Sequence, residues 1–104
     1  MDSILKSLER ILEERKSASA DQSYVSSLYH KGTSSILEKI SEESEEVINA
    51  VNEEGRKEII HEVADLWFHL LVLLRHEDIK IEEIESELAR RFGVSGHDEK
   101  ASRD

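Results

Sequence analysis

Glu62-Val63-Ala64-Asp65-Leu66-Trp67-Phe68-His69-Leu70-Leu71-Val72-Leu73-Leu74 opens with two carboxylates about one helical turn apart and then becomes apolar nearly all round. A helix with no polar stripe has no side to offer water, so this stretch predicts a buried central helix with Trp67, Phe68 and their leucine neighbours in the core. Upstream, Ile36, Ile40, Glu43, Val47 and Ala50 follow steps of 4, 3, 4 and 3, which is the spacing of a single helix face. Glu43, part of Glu42-Glu43-Ser44-Glu45-Glu46, therefore interrupts an apolar stripe. A carboxylate aimed at an interior is costly unless it is paired or holds a cation.

Outward from these two segments the chain reads as helices joined by short connections. Ile4, Leu5, Leu8, Ile11 and Leu12 form a stripe from about Asp2 to Arg15, and Ser17 to Ser23 is a polar loop. Tyr24 to His30 reads as a short helix ending at Lys31-Gly32, with Thr33 or Ser34 capping the next, which ends near Asn52. Glu53-Glu54-Gly55-Arg56 forms the turn into a central helix from Lys57 to Arg75. Glu77 to Lys80 break it, and Ile81, Ile84, Leu88 and Phe92 give a last amphipathic helix ended by Gly93. The fold class is all-α, with four to five helices in one domain of residues 1–104 and a tail, 95–104, whose composition has no apolar face. So small a chain buries only roughly 60–70% of its unfolded surface. A central helix apolar on every side then needs a second copy to cover it, so a homodimer is expected.

With 24 acidic against 14 basic residues the formal charge is −10, which argues against nucleic acid as a partner, where a basic face should dominate. The absence of cysteine excludes disulfides and thiolate metal sites. The chain contains no stretch of about 18 apolar residues and no signal-peptide pattern, so neither a membrane span nor secretion is expected, and the reading is cytoplasmic.

The chemistry concentrates in the acids. Glu43 and Glu46 are three residues apart, as are Glu62 and Asp65, so each pair shares a helix face with about 4.5 Å of rise between its members. If the two helices pack antiparallel through the turn at Gly55, the pairs face each other, and four ionised carboxylates there repel unless a cation joins them. Oxygen ligands without cysteine point to Mg²⁺, with Mn²⁺ as the alternative, rather than Zn²⁺. Such a site suits a nucleotide held through metal-bridged phosphates. Glu45, Glu53 and Glu54 read as solvated. Glu58-Ile59-Ile60-His61 carries one Glu/His pair, whereas a di-iron bundle needs two. His69, on the face of Glu62 and Asp65, reads as a hydrogen-bonded interior histidine rather than a ligand.

Glu42-Glu43-Ser44-Glu45-Glu46 followed by Glu62-Val63-Ala64-Asp65 resembles the EExxE…ExxD signature of the all-α nucleoside triphosphate pyrophosphohydrolases. Ser23-Tyr24, Lys31-Gly32, the run from His69 to Leu74, Glu87-Leu88-Ala89-Arg90-Arg91 and the tail Glu99-Lys100-Ala101-Ser102-Arg103 narrow the similarity to the phosphoribosyl-ATP pyrophosphatase family of histidine biosynthesis. Ser41 and Ser44 depart mildly from that pattern, as does Trp67-Phe68, and no carboxylate is lost.

The resemblance implies Mg²⁺-dependent hydrolysis of 1-(5-phosphoribosyl)-ATP to 1-(5-phosphoribosyl)-AMP and pyrophosphate. It implies Glu43, Glu46, Glu62 and Asp65 as metal ligands, with Glu42 either a further ligand or the base that orients water. Lys31, Lys39, Arg90, Lys100 and Arg103 become candidate phosphate contacts, the last two on a tail expected to close over substrate. Two competing readings remain. One is a house-cleaning (d)NTP pyrophosphohydrolase sharing the metal site, and the other is a non-catalytic acidic helical dimerisation module.

Overall fold

A computed structural model of the chain describes residues 3–92, and every absence below refers to those residues. Five helices follow in order, α1 (Ile4–Glu14), α2 (Tyr24–Lys31), α3 (Thr33–Glu53), α4 (Arg56–His76) and α5 (Ile81–Arg91), with a 3₁₀ turn at Arg15–Ser17. The all-α expectation holds, and no strand occurs among the described residues. The Ser3 hydroxyl caps α1 by accepting the Lys6 amide at 3.2 Å, and Ser23 caps α2 by accepting the Ser26 amide at 3.0 Å.

Between α2 and α3 there is a single residue, Gly32, at φ +96°, a conformation that side chains rarely tolerate. Its left-handed backbone lets one helix end and the next begin without a loop. Thr33, expected as a cap, is instead the first helical residue, and its hydroxyl lies 3.1 Å from His76 Nε2.

The two long helices α3 and α4, joined by Glu54-Gly55, form an antiparallel hairpin and share the most extensive packing of any pair. Ile36, Glu43 and Ala50 are buried on α3, with Ile40 and Val47 half-buried between them, so the interrupted stripe does face inward. Leu12, Val25, Leu28, Ile36, Leu71, Val72 and Ile81 make the core, drawn from all five helices.

One expectation needs correction. Trp67 is 53% exposed in the single chain, Leu70 and Ile60 also face outward, and only Phe68 of the aromatic pair packs on the core. The α5 stripe behaves alike: Ile81 is buried, but Ile84, Leu88 and Phe92 are exposed. Apolar periodicity identified these positions as needing cover, but one chain of this size has too few helices to surround α4.

Candidate active site

The hairpin sets Glu43 and Glu46 of α3 across from Glu62 and Asp65 of α4, and their placement follows from helix periodicity. Ligand atoms of Glu43, Glu46 and Glu62 all lie within 4.8 Å of one another, and the same is true of His61, Glu62 and Asp65. Glu62 belongs to both groups. All four expected carboxylates thus meet, and His61, which the sequence reading dismissed with the di-iron pattern, joins them with Nε2 3.6 Å from an Asp65 oxygen. The spacing of four residues from His61 to Asp65 was the available signal.

Electrostatically the cluster is unsatisfied. Glu43 is 6% exposed, and burial, reinforced by the neighbouring Glu46 and Asp65, holds its carboxyl at about 7 against an ordinary 4.5. Glu62 is raised in the same way, first by loss of water and then by Glu46. Glu43 Oε2 and Glu62 Oε1 are buried with no hydrogen-bond partner. Buried oxygens of this kind normally find a donor, and two orphans converging on one place leave room for a cation. Oxygens gathered around Mg²⁺ at about 2.1 Å from the ion sit roughly 3–4 Å apart, so either group is near the size that such an ion closes. The residues present fit a hard divalent cation.

Lys39 lies at the margin, its Nζ 3.2 Å from Glu42 and 4.0 Å from Glu43, and the hydrogen bond to Glu42 raises its pKa. Glu42 is exposed and falls in neither metal-sized group. Beside it opens an acidic depression lined by Glu42, Glu45, Glu46 and Asn49. Glu45, Glu53 and Glu54 are exposed, as the solvated reading expected.

His69 is buried, and both its ring nitrogens are engaged, Nδ1 with the Asp65 carbonyl and Nε2 with the Tyr24 hydroxyl, each at 2.8 Å. It is the hydrogen-bonded interior histidine that its position implied. Its partner Tyr24 is a residue the sequence quoted only as part of a resemblance. Of the other candidate cations, Lys31 stands exposed at the end of α2. Arg90 forks onto Glu87 of its own helix at 2.8 and 2.9 Å. Lys100 and Arg103, with the rest of the tail, lie outside the described residues.

The comparisons with known proteins point the same way. The family model described as phosphoribosyl-ATP pyrophosphohydrolase matches residues 5–92. A phosphoribosyl-ATP pyrophosphatase of Vesicomyosocius okutanii is 65% identical over 99% of this chain and 98% of its own length. Those of Ruthia magnifica and Neisseria meningitidis serogroup C are 60% and 47% identical, over 99% and 98% of this chain and 98% and 95% of theirs. A match across nearly every described residue, on a helical hairpin carrying this carboxylate cluster, places the chain in the phosphoribosyl-ATP pyrophosphohydrolase family.

Proposed function

We infer that this chain hydrolyses 1-(5-phosphoribosyl)-ATP to 1-(5-phosphoribosyl)-AMP and pyrophosphate, the second step of L-histidine biosynthesis, with Mg²⁺ as cofactor and Mn²⁺ as its substitute. Family membership supports the reaction, and the observation that supports the site is the pair of buried, unpartnered oxygens on Glu43 and Glu62. The bound metal would neutralise phosphate charge and lower the proton affinity of water. Glu43, Glu46, Glu62 and Asp65 would hold it, and their rigidity comes from two long helices rather than loops.

In the reaction, a water oxygen bonds to one phosphorus of the α–β anhydride and the bridging P–O bond breaks. The bridging oxygen and its electron pair stay with the phosphorus that is not attacked, so pyrophosphate is the leaving group for attack at the α phosphorus and phosphoribosyl-AMP for attack at the β phosphorus. The proton lost by water passes to a carboxylate. Glu42, outside both metal-sized groups and hydrogen-bonded to Lys39, is the carboxylate left to orient and deprotonate that water. Lys39, with its ammonium between Glu42 and Glu43, is placed to meet an incoming phosphate oxygen. The −10 charge makes such cations necessary, because an anionic substrate otherwise meets only repulsion. Lys31, Arg90, Lys100 and Arg103 remain the further candidates for phosphate contacts that the family resemblance supplies.

The enzyme works as a homodimer in the cytoplasm. Trp67 is shared by three adjoining apolar hollows, whose walls include Leu5 and Leu8 of α1, Ile60 and Leu70 of α4, and Ile84 of α5. Exposed apolar surface so continuous suits a second copy. No helix of the described residues is long and apolar enough to cross a membrane.

Pyrophosphate release with Mg²⁺ is the deciding assay, comparing phosphoribosyl-ATP with a panel of dNTPs. Preference for phosphoribosyl-ATP is expected, equal or better turnover of dNTPs would give the house-cleaning reading, and no release from either would leave the dimerisation module. Light scattering should return about twice 11.9 kDa, and a monomer at micromolar concentration would remove the second copy.

A further inference from the structure

The first residue of α2 reaches across to α4 one turn beyond Asp65, and neither the metal ligands nor the phosphate-binding cations account for it. Tyr24 projects its hydroxyl to within 2.8 Å of His69 Nε2, and the two rings meet edge to face with centroids 5.8 Å apart. Phe68 packs against the same imidazole, also edge to face, at 5.2 Å. His69 Nδ1 lies 2.8 Å from the main-chain carbonyl of Asp65, one turn back on α4. A carbonyl oxygen can only accept, so the ring hydrogen belongs on Nδ1 and Nε2 carries a lone pair. The Tyr24 hydroxyl therefore donates inward.

A phenol has one hydrogen to give and two lone pairs. Once that hydrogen is committed to His69, the phenol oxygen has nothing to donate to a phosphate. It can only accept. Tyr24 is nevertheless half-exposed, and a single imidazole separates its hydroxyl from the main chain of Asp65, one of the four clustered carboxylate residues. The hydroxyl is neither part of the core nor placed for solubility alone.

We propose that Tyr24 serves the occupied nucleotide site as a fixed hydrogen-bond acceptor for an O–H group, with His69 as the positioning residue that turns its lone pairs outward. The O–H belongs either to a sugar hydroxyl of the nucleotide or to a water on the bound cation. This role rests on the nucleotide hydrolase reading above and assigns one side of that site to hydroxyl recognition.

Tyr24→Phe keeps the ring and removes only the oxygen. Three quantities are to be measured: steady-state kinetics on phosphoribosyl-ATP, calorimetric affinity for Mg²⁺ alone, and thermal stability. Loss of one hydrogen bond made equally in ground and transition states should raise KM about tenfold with kcat little changed. If Mg²⁺ affinity is unaltered, the partner is a sugar hydroxyl, and if it weakens in parallel, the partner is metal-bound water.

His69→Phe should raise KM less. The double variant should be no worse than Tyr24→Phe alone, because His69 acts only through the hydroxyl. Unchanged KM and unchanged Mg²⁺ affinity in Tyr24→Phe would overturn the proposal. So would KM effects of the two single variants that simply add in the double variant, which would make His69 independent of Tyr24. Wild-type failure to release pyrophosphate would instead count against the hydrolase reading. In that case the Mg²⁺ affinity of Tyr24→Phe, together with its affinity for phosphoribosyl-AMP, still decides whether the hydroxyl is a contact.

Discussion

Near its C-terminal end α4 buries Arg75 with Nη1 2.8 Å from Glu13, Nη2 2.7 Å from the Ile79 carbonyl, and Glu9 at 3.8 Å. About three turns earlier the same helix presents Glu62 and Asp65 to Glu43 and Glu46, with only Lys39 and His61 as basic groups at the margin. Both places hold charge away from water. At Arg75 opposite charges from α1 and α4 meet, and Glu9 also accepts the Ile81 amide that begins α5, so the cluster ties three helices together. At Glu62 like charges meet, two oxygens have no partner, and carboxyl pKa values are pushed up. The first arrangement pairs opposite charges within the chain and leaves only the Arg75 Nε hydrogen without a partner. The second is destabilising by itself and suits a ligand that brings positive charge.

Substitutions should separate the two regions. The largest effect belongs to the carboxylates. Glu43→Gln, Glu46→Gln, Glu62→Gln and Asp65→Asn should each cut pyrophosphate release by about a hundredfold or more while leaving the helical circular dichroism intact, since loss of even an indirect metal contact commonly costs 10–100-fold. Near wild-type turnover in any two of them would dissolve the metal-site assignment. Apo stability should hold or rise, because each change removes one charge from a repelling group.

Arg75→Ala should do the opposite. Removing one partner of a buried pair typically costs about 3–5 kcal/mol, and the lower figure is expected because Glu13 stays half in water. Urea unfolding should show that loss, and turnover per folded molecule should be preserved. A stable Arg75→Ala protein would mean that the cluster is not what ties α1 to α4.

Mg²⁺ supplies a third contrast. At a hundredfold excess over Kd, binding to the native site alone adds about 2.7 kcal/mol. The melting temperature should therefore climb with Mg²⁺ in the wild type and in Arg75→Ala, and much less in Glu62→Gln. Indifference of the wild type would favour a non-catalytic module.

The helices and the carboxylate cluster were legible because both are periodic. Ile36, Ile40, Glu43, Val47 and Ala50 mark one face within a single helix, and the turn at Gly55 folds that face onto Glu62 and Asp65. The Arg75 cluster was not legible. Its partner Glu13 is 62 residues away, and no spacing rule links α1 to the end of α4. Tyr24 and His69, 45 residues apart, were hidden for the same reason. Trp67, Ile84 and Leu88 show a different limit: their apolar pattern specifies that something must cover them but does not say whether it is the same chain.

The smallest expected effect concerns pH and isolates the like-charge region. Glu43 is held at about 7 in the fold against 4.5 when unperturbed, so the folded state retains a proton that the unfolded chain releases between those values. A raised carboxyl pKa favours folding below about 4.5 and loses that contribution as pH climbs through about 7. Glutamine mimics the protonated form. Glu43→Gln and the wild type, both without metal, should therefore melt together near pH 4.5, and the variant should gain steadily to a plateau above about pH 7. Removing the Glu43 charge also relieves the carboxylates crowded around it, so the plateau belongs to the cluster rather than to Glu43 alone and is set on the order of 1 kcal/mol. A salt titration at pH 8 should shrink the gap only slightly, since a buried group is poorly screened. If the two melting curves instead run parallel at every pH, Glu43 ionises without penalty, and the contrast with Arg75 loses its electrostatic basis.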